Sequence, residues 1–161
     1  MQTQTLPTPT DVEMREHYFQ KSKPKLCMLL CLTENSTLLD YERAWTGLSP
    51  YEKGAVFRRA LAEGYWSSKR GMAEELGNLN LRDIGMGSIS SLMQIAGLPA
   101  IVITAFRDPK SIKLLWGRRL WAAAVLDHDI VLSRAVAVIK RQAAGEKLLD
   151  AVVYKELIRG R

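Results

Sequence analysis

The chain has 161 residues, 47% of them hydrophobic and 25% charged, with a formal net charge of +6. That length can bury a core without metal or disulfide staples, and no apolar run approaches the roughly 18 residues of a membrane span. The basic balance permits a polyanionic partner. Cys27 and Cys31 have no matching Cys or His pair, so they read as reduced small hydrophobes rather than metal ligands. MQTQTLPTPT lacks the basic start and apolar block of a secretory signal, and the expected location is cytoplasmic.

Residues 1–24 are rich in Thr, Gln and Pro and then mixed in charge, and the expectation is a flexible arm ahead of a helical domain over 25–161. In KLCMLLCLTENSTLLDYERAW the spacing of Leu26, Leu29, Leu30 and Thr33 predicts a buried helix, apolar nearly all round, reaching Leu39. Ser49 and Pro50 begin the next helix, with Glu52 completing a capping box. Its core stripe is Val56, Phe57, Ala60 and Leu61, its stop is Gly64, and Lys53, Arg58 and Arg59 fall on its solvent side.

Two short helices follow over about 66–97 in a helix-turn-helix pattern. Ser67 and Ser68 offer caps to the first, Met72, Ala73 and Leu76 form its stripe, and Gly77 is expected as a left-handed stop. Ser88 is expected to cap the second, which buries Ile89, Leu92, Met93 and Ala96 and stops at Gly97 and Pro99. Its opposite face carries Ser90, Ser91 and Gln94, groups able to read base edges or phosphates from a major groove. By default such a face is only solvated, and the basic flanks favour the functional reading.

Helices over 100–159 complete the chain. One holds Ile101, Val102, Ala105 and Phe106, and another begins at Asp108 and Pro109 with Ile112, Leu115, Trp116, Leu120 and Ala123 inward. Asp127 or Asp129 caps a helix from Ile130 to about Ala143, and the last, from Glu146 to Ile158, presents Leu149, Val152, Val153 and Leu157. No strand pair or repeat intervenes, so the fold class is all-α, a multi-helix domain containing a helix-turn-helix. The expected DNA-binding set is Lys69, Arg70, Arg82, Ser88, Ser90, Ser91 and Gln94 in the groove, with Arg107, Lys110, Lys113, Arg118 and Arg119 on phosphates. Enzymatic activity is not expected. His17 and His128 are the only histidines, and neither a Gly-rich phosphate loop nor an HExxH site is present, so no metal or cofactor is called for.

LTENSTLLDYERAWTGLSPYEKGAVFRRALAEGYWSSKRGMAEELG and the later ISSLMQIAGLPAIVITAFRDPKSIKLLWGRRLWAAAV resemble the central region of ParB-type plasmid and chromosome partition proteins, the plasmid branch above all. The most specific pieces are Ser49 to Gly54, Leu76-Gly77, Gly97-Leu98-Pro99, Phe106 and Asp108-Pro109, and coverage runs from about Leu29 to Val125. The resemblance implies binding of double-stranded DNA by an all-helical domain, a homodimer, and a ParA-type ATPase as partner. The family's amino-terminal CTP-binding module ends in Glu-Asn followed by Arg. Glu34 and Asn35 match, but Leu38 stands for the Arg and most of the module is not present, so CTP hydrolysis is not expected. NLNLRDIGMG lengthens the turn before Ser88, and Ser90 and Ser91 replace the family's Arg and Thr, which points to weak base reading unless Arg82 and Asp83 substitute. The alternative reading is a helical interaction module, or an inhibitor of a partition or conjugation system, that keeps the fold without specific DNA reading.

Overall fold

The computed structural model describes residues 10–81 and 84–160, which form nine α-helices and one 3-10 turn, with no strand among the described residues. The all-α expectation is therefore met. α1 spans Asp11–Leu30, α2 Leu38–Gly47 and α3 Pro50–Ala62. The expected arm is thus helical from Asp11 on, while residues 1–9 lie outside the described set. The cause is local and tertiary together. Thr10 and Glu13 close a reciprocal capping box, and Phe19 and Ser22 are then carried into the interior.

The helix expected to reach Leu39 instead stops at Leu30. Cys31 adopts a left-handed φ of 56° and its N–H returns to the Cys27 carbonyl. Thr37 and Asp40 then form a second capping box that starts α2. The Ser49–Glu52 box starts α3 as expected, with Glu52 accepting from the Ser49 N–H at 2.9 Å. Lys53 corrects its solvent-side placement: it is buried, its Nζ 5.3 Å from the centre of the Trp45 ring.

α4 spans Lys69–Gly77, α5 Met86–Ala96 and α6 Ala100–Ala105. A 3-10 turn at Pro109–Ser111 precedes α7 (Leu114–Leu126), α8 (His128–Ala143) and α9 (Asp150–Leu157). The helix expected to begin at Asp108 is thus split. Asp108 caps only the turn, through the Lys110 N–H, and α7 starts later. In the last helix the buried side is Val153, Tyr154 and Leu157, whereas Leu149 and Val152 face outward.

Two apolar cores result, and α5 belongs to both. Ile89 and Leu92 pack with Phe19, Tyr41, Trp45, Phe57, Met72 and Leu76 in the first. Ile95 and Leu98 pack with Val102, Ile112, Leu120, Val131 and Val153 in the second. Two glycines let the neighbouring helices close on α5. A Cβ on Gly54 of α3 would overlap the Leu92 carbonyl group, 2.6 Å from its carbon, and sit 3.0 Å from the Ala96 Cβ. A Cβ on Gly117 of α7 would overlap the Ile95 side chain, 2.7 Å from its Cδ1. This contact fixes how α7 is turned. Leu115, expected inward, lies about 160° around the helix from Gly117 and is 56% exposed.

Helix ends are tied across the cores as well. Arg59 donates to the Leu29 carbonyl at the end of α1 at 2.6 Å, Gln142 to Ala105 at the end of α6, and Arg134 to Leu157 at the end of α9. Glu75 of α4 anchors α1, accepting from Ser22 Oγ at 2.9 Å, Lys25 Nζ at 2.9 Å and Trp66 Nε1 at 2.6 Å. Partial burial pushes its carboxyl up, but these donors outweigh burial and hold it below the usual glutamate value of 4.5.

Gly54→Ala is expected to lower unfolding stability by about 3 kcal/mol, since the obstacle is a backbone carbonyl that cannot move aside. Gly47→Ala, at an open site with nothing within 4 Å, should change it by less than about 1 kcal/mol; urea unfolding of both checks this. Glu75→Gln should cost about 1–3 kcal/mol at pH 7. Because the folded carboxyl titrates low, that difference is full above the ordinary glutamate range and vanishes as pH falls through the lowered value, which unfolding titrations at stepped pH measure.

Candidate nucleic-acid interface

α4 and α5 form the helix pair expected from the sequence, with two changes at the junction. Ser68 Oγ accepts from the Gly71 N–H at 3.0 Å and caps α4, and Met72 and Leu76 are buried. Gly77 is not left-handed. Asn80 takes that role at φ 51°, a conformation Asn tolerates. The long turn is pinned at both ends by Leu79 and Ile84, 0% and 2% exposed, and Arg15 Nε donates to the Leu79 carbonyl at 3.0 Å. Arg82 and Asp83 lie outside the described residues.

α5 begins at Met86, so Ser88 sits inside its first turn rather than at the cap. Gly85 holds the cap position without a side-chain bond, and a Cβ on Gly85 or Gly87 would meet nothing within 4 Å. The first-turn amides are therefore open to an anionic group. The buried side is Ile89, Leu92 and Ile95, with Met93 and Ala96 only partly covered. Ser90, Ser91 and Gln94 are each partly exposed, in a helix that carries no charge of its own.

Charge reaches this surface from neighbours. Lys69 and Arg70 are exposed at the head of α4, but Arg70 donates to Glu74 at 2.8 Å, which raises its pKa and offsets its charge. Arg58 of α3, placed on a merely solvated side by the sequence reading, lies across the end of α5. Its Nη1 is 2.5 Å from where a Gly97 Cβ would stand, with the Trp121 ring edge 3.3 Å from the same point. A cation there also suits the negative end of the α5 dipole. The sequence clue to Arg58 is its position one turn after Gly54, the residue that docks α3 on α5.

The remaining basic residues of the expected set lie after α6, in the 3-10 turn, and at the start and along α7. Lys110 is exposed but paired with Glu52 at 3.1 Å, and that hydrogen bond raises its pKa. Lys113 Nζ stands 4.9 Å over the Trp116 ring, which itself stacks on Tyr154 with centroids 4.8 Å apart. Arg107 is exposed where its N–H approaches Asp150 of α9, and Arg119 Nη1 lies 3.5 Å from the Tyr154 hydroxyl, also on α9. Arg118 is exposed and has no partner among the described residues. Glu34 and Asn35 are exposed in the turn between α1 and α2, and the half-buried Leu38 opens α2.

Among the described residues no cluster of His, Cys, Asp or Glu could hold a metal ion, and no helix is long and apolar enough to cross a membrane. Cys27 and Cys31 are free thiols. The chain matches no protein-family model and no curated protein.

The two serines separate the cap assignments. Ser68→Ala should cost about 1 kcal/mol of stability, whereas Ser88→Ala should stay within about 0.5 kcal/mol, as measured by thermal or urea unfolding of each variant.

Proposed function

We propose that this protein binds double-stranded DNA through the partly exposed side of α5. Ser90, Ser91 and Gln94 face the groove, the Gly85–Ser88 end approaches a phosphate, and Lys69 and Arg58 contact the backbone on either flank. The observation that supports the reading best is the combination on α5. Its inner side is locked into both cores, and its outer side is short, polar and free of acidic groups, with Arg58 laid against its end. Without a bidentate Arg or Asn on α5, discrimination falls below the roughly 1–3 kcal/mol per base pair of a good contact, so binding is weakly sequence-dependent. The ParB-type resemblance extends this proposal to plasmid partition in the cytoplasm, alongside a ParA-type ATPase.

A helical interaction module is the second reading, favoured by the flank of α1. There Met28 is 65% exposed beside an open groove of about 590 Å³ lined by Gln20, Lys23, Pro24, Cys27, Leu32 and Glu34.

Salt titration against a labelled random-sequence duplex tests the DNA reading. Log affinity should fall against log salt with a slope of roughly −2 or steeper, and Arg58→Glu should weaken binding and reduce that slope by about 1. Absence of binding at low salt would favour the interaction module, and an unchanged slope in the variant would remove Arg58 from the contact.

A further inference from the structure

The side of α7 turned away from α5 carries a pattern of its own. Leu115, Ala122 and Leu126 fall within about 40° of one another around the helix, a single narrow stripe. Leu115 and Leu126 are 56% and 73% exposed. Arg118 borders the stripe on one side and Arg119 on the other, both exposed. Val125 lies beyond Arg118 at 66%, and Ile130, in the first turn of α8, is 49% exposed. α7 itself holds no acidic residue. Beside the stripe is a hollow of about 400 Å³ lined by Arg119, Ala122, Ala123 and Ile158.

Exposed leucines at this spacing gain by burial only against another apolar surface. The arginines on both borders require that surface to be edged with negative charge. A duplex fails the first condition, because its backbone would set phosphates against the leucines. A second α7 fails the other, because it brings only further arginine. An anionic bilayer satisfies both along the stripe, but it offers no protruding side chain to fill the hollow, and Asp129, exposed next to Ile130, would face its headgroups. We propose that this side of α7 is the docking face for an acidic amphipathic helix of another protein. The aliphatic side of that helix lies along Leu115, Ala122 and Leu126, its carboxylates meet Arg118 and Arg119, and one large apolar side chain enters the hollow. The proposal is independent of DNA binding, because Gly117, and not this stripe, is the side of α7 that meets α5.

Fluorescence anisotropy with the full chain and two labelled helical peptides is the test. Both peptides carry leucine at every third and fourth position; one has glutamate on the borders of that stripe and the other lysine. The glutamate peptide should bind about tenfold or more tightly than the lysine peptide. Leu126→Glu should weaken its binding about tenfold or more, with helicity and melting unchanged because the residue is largely exposed. The double variant Arg118→Glu, Arg119→Glu should reverse the preference and take the lysine peptide instead. A saturating random-sequence duplex should leave the glutamate peptide bound. No binding of either peptide, equal binding of the two, displacement by duplex, or indifference to Leu126→Glu would overturn the proposal. So would phosphatidylglycerol vesicles that bind the chain and lose it in Leu126→Glu, which would give this face to a membrane. Should Leu126→Glu fail to fold, the reversal by the double arginine variant decides alone.

Discussion

The close approach of α3 and α7 to α5 governs the rest of this structure. Gly54 lets the α3 backbone reach the Leu92 carbonyl, and Gly117 lets α7 receive the Ile95 side chain without a Cβ in the way. Larger residues at either site would push the helices apart by more than a methyl group and open space on both sides of α5. With the glycines in place, one uncharged helix of eleven residues supplies buried side chains to two cores at once. The N-terminal helices and the C-terminal ones are thereby joined through a shared element rather than through a linker.

The functional reading follows from that constraint. A helix gripped along its inner side cannot rotate to hide its serines, so Ser90, Ser91 and Gln94 keep their partial exposure. The same docking that grips α5 delivers Arg58, one turn beyond Gly54, to the end of the helix. Positioning of this kind on rigid elements is what makes a weak set of polar groups usable as a binding surface. The rotation of α7 set by Gly117 also explains why Leu115 and Leu126 face outward. Packing on α5 and exposure of an apolar stripe on the far side have one cause.

Local chemistry was largely legible in the sequence. The Ser49–Glu52 box with Pro50, the Ser68 cap and the Ile89–Leu92 spacing each correspond to a helix start or a buried side as read. Thr10–Glu13 and Thr37–Asp40 carry the same signature, yet the first lies in a polar, Pro-rich composition, and the second falls where the Leu26–Leu30 spacing extends one helix across the polar Thr33–Thr37 stretch to Leu39. What could not be read is tertiary. Whether a glycine is a stop or a docking point depends on which neighbour arrives, so Gly77 reads as a left-handed stop while Asn80 holds that conformation. The burial of Lys53, the outward turn of Leu115 and the arrival of Arg58 all depend on helix rotations that only the packed fold sets.

Native-state hydrogen exchange, followed residue by residue with and without duplex, tests the central claim most directly. In the free chain the amides from Ile89 to Ile95 should exchange only through global unfolding, with the same opening energy as both cores. Added duplex should slow Gly87 and Ser88, whose amides are otherwise open. Separate opening of α5, two cores that unfold independently, or first-turn amides indifferent to duplex would contradict the account.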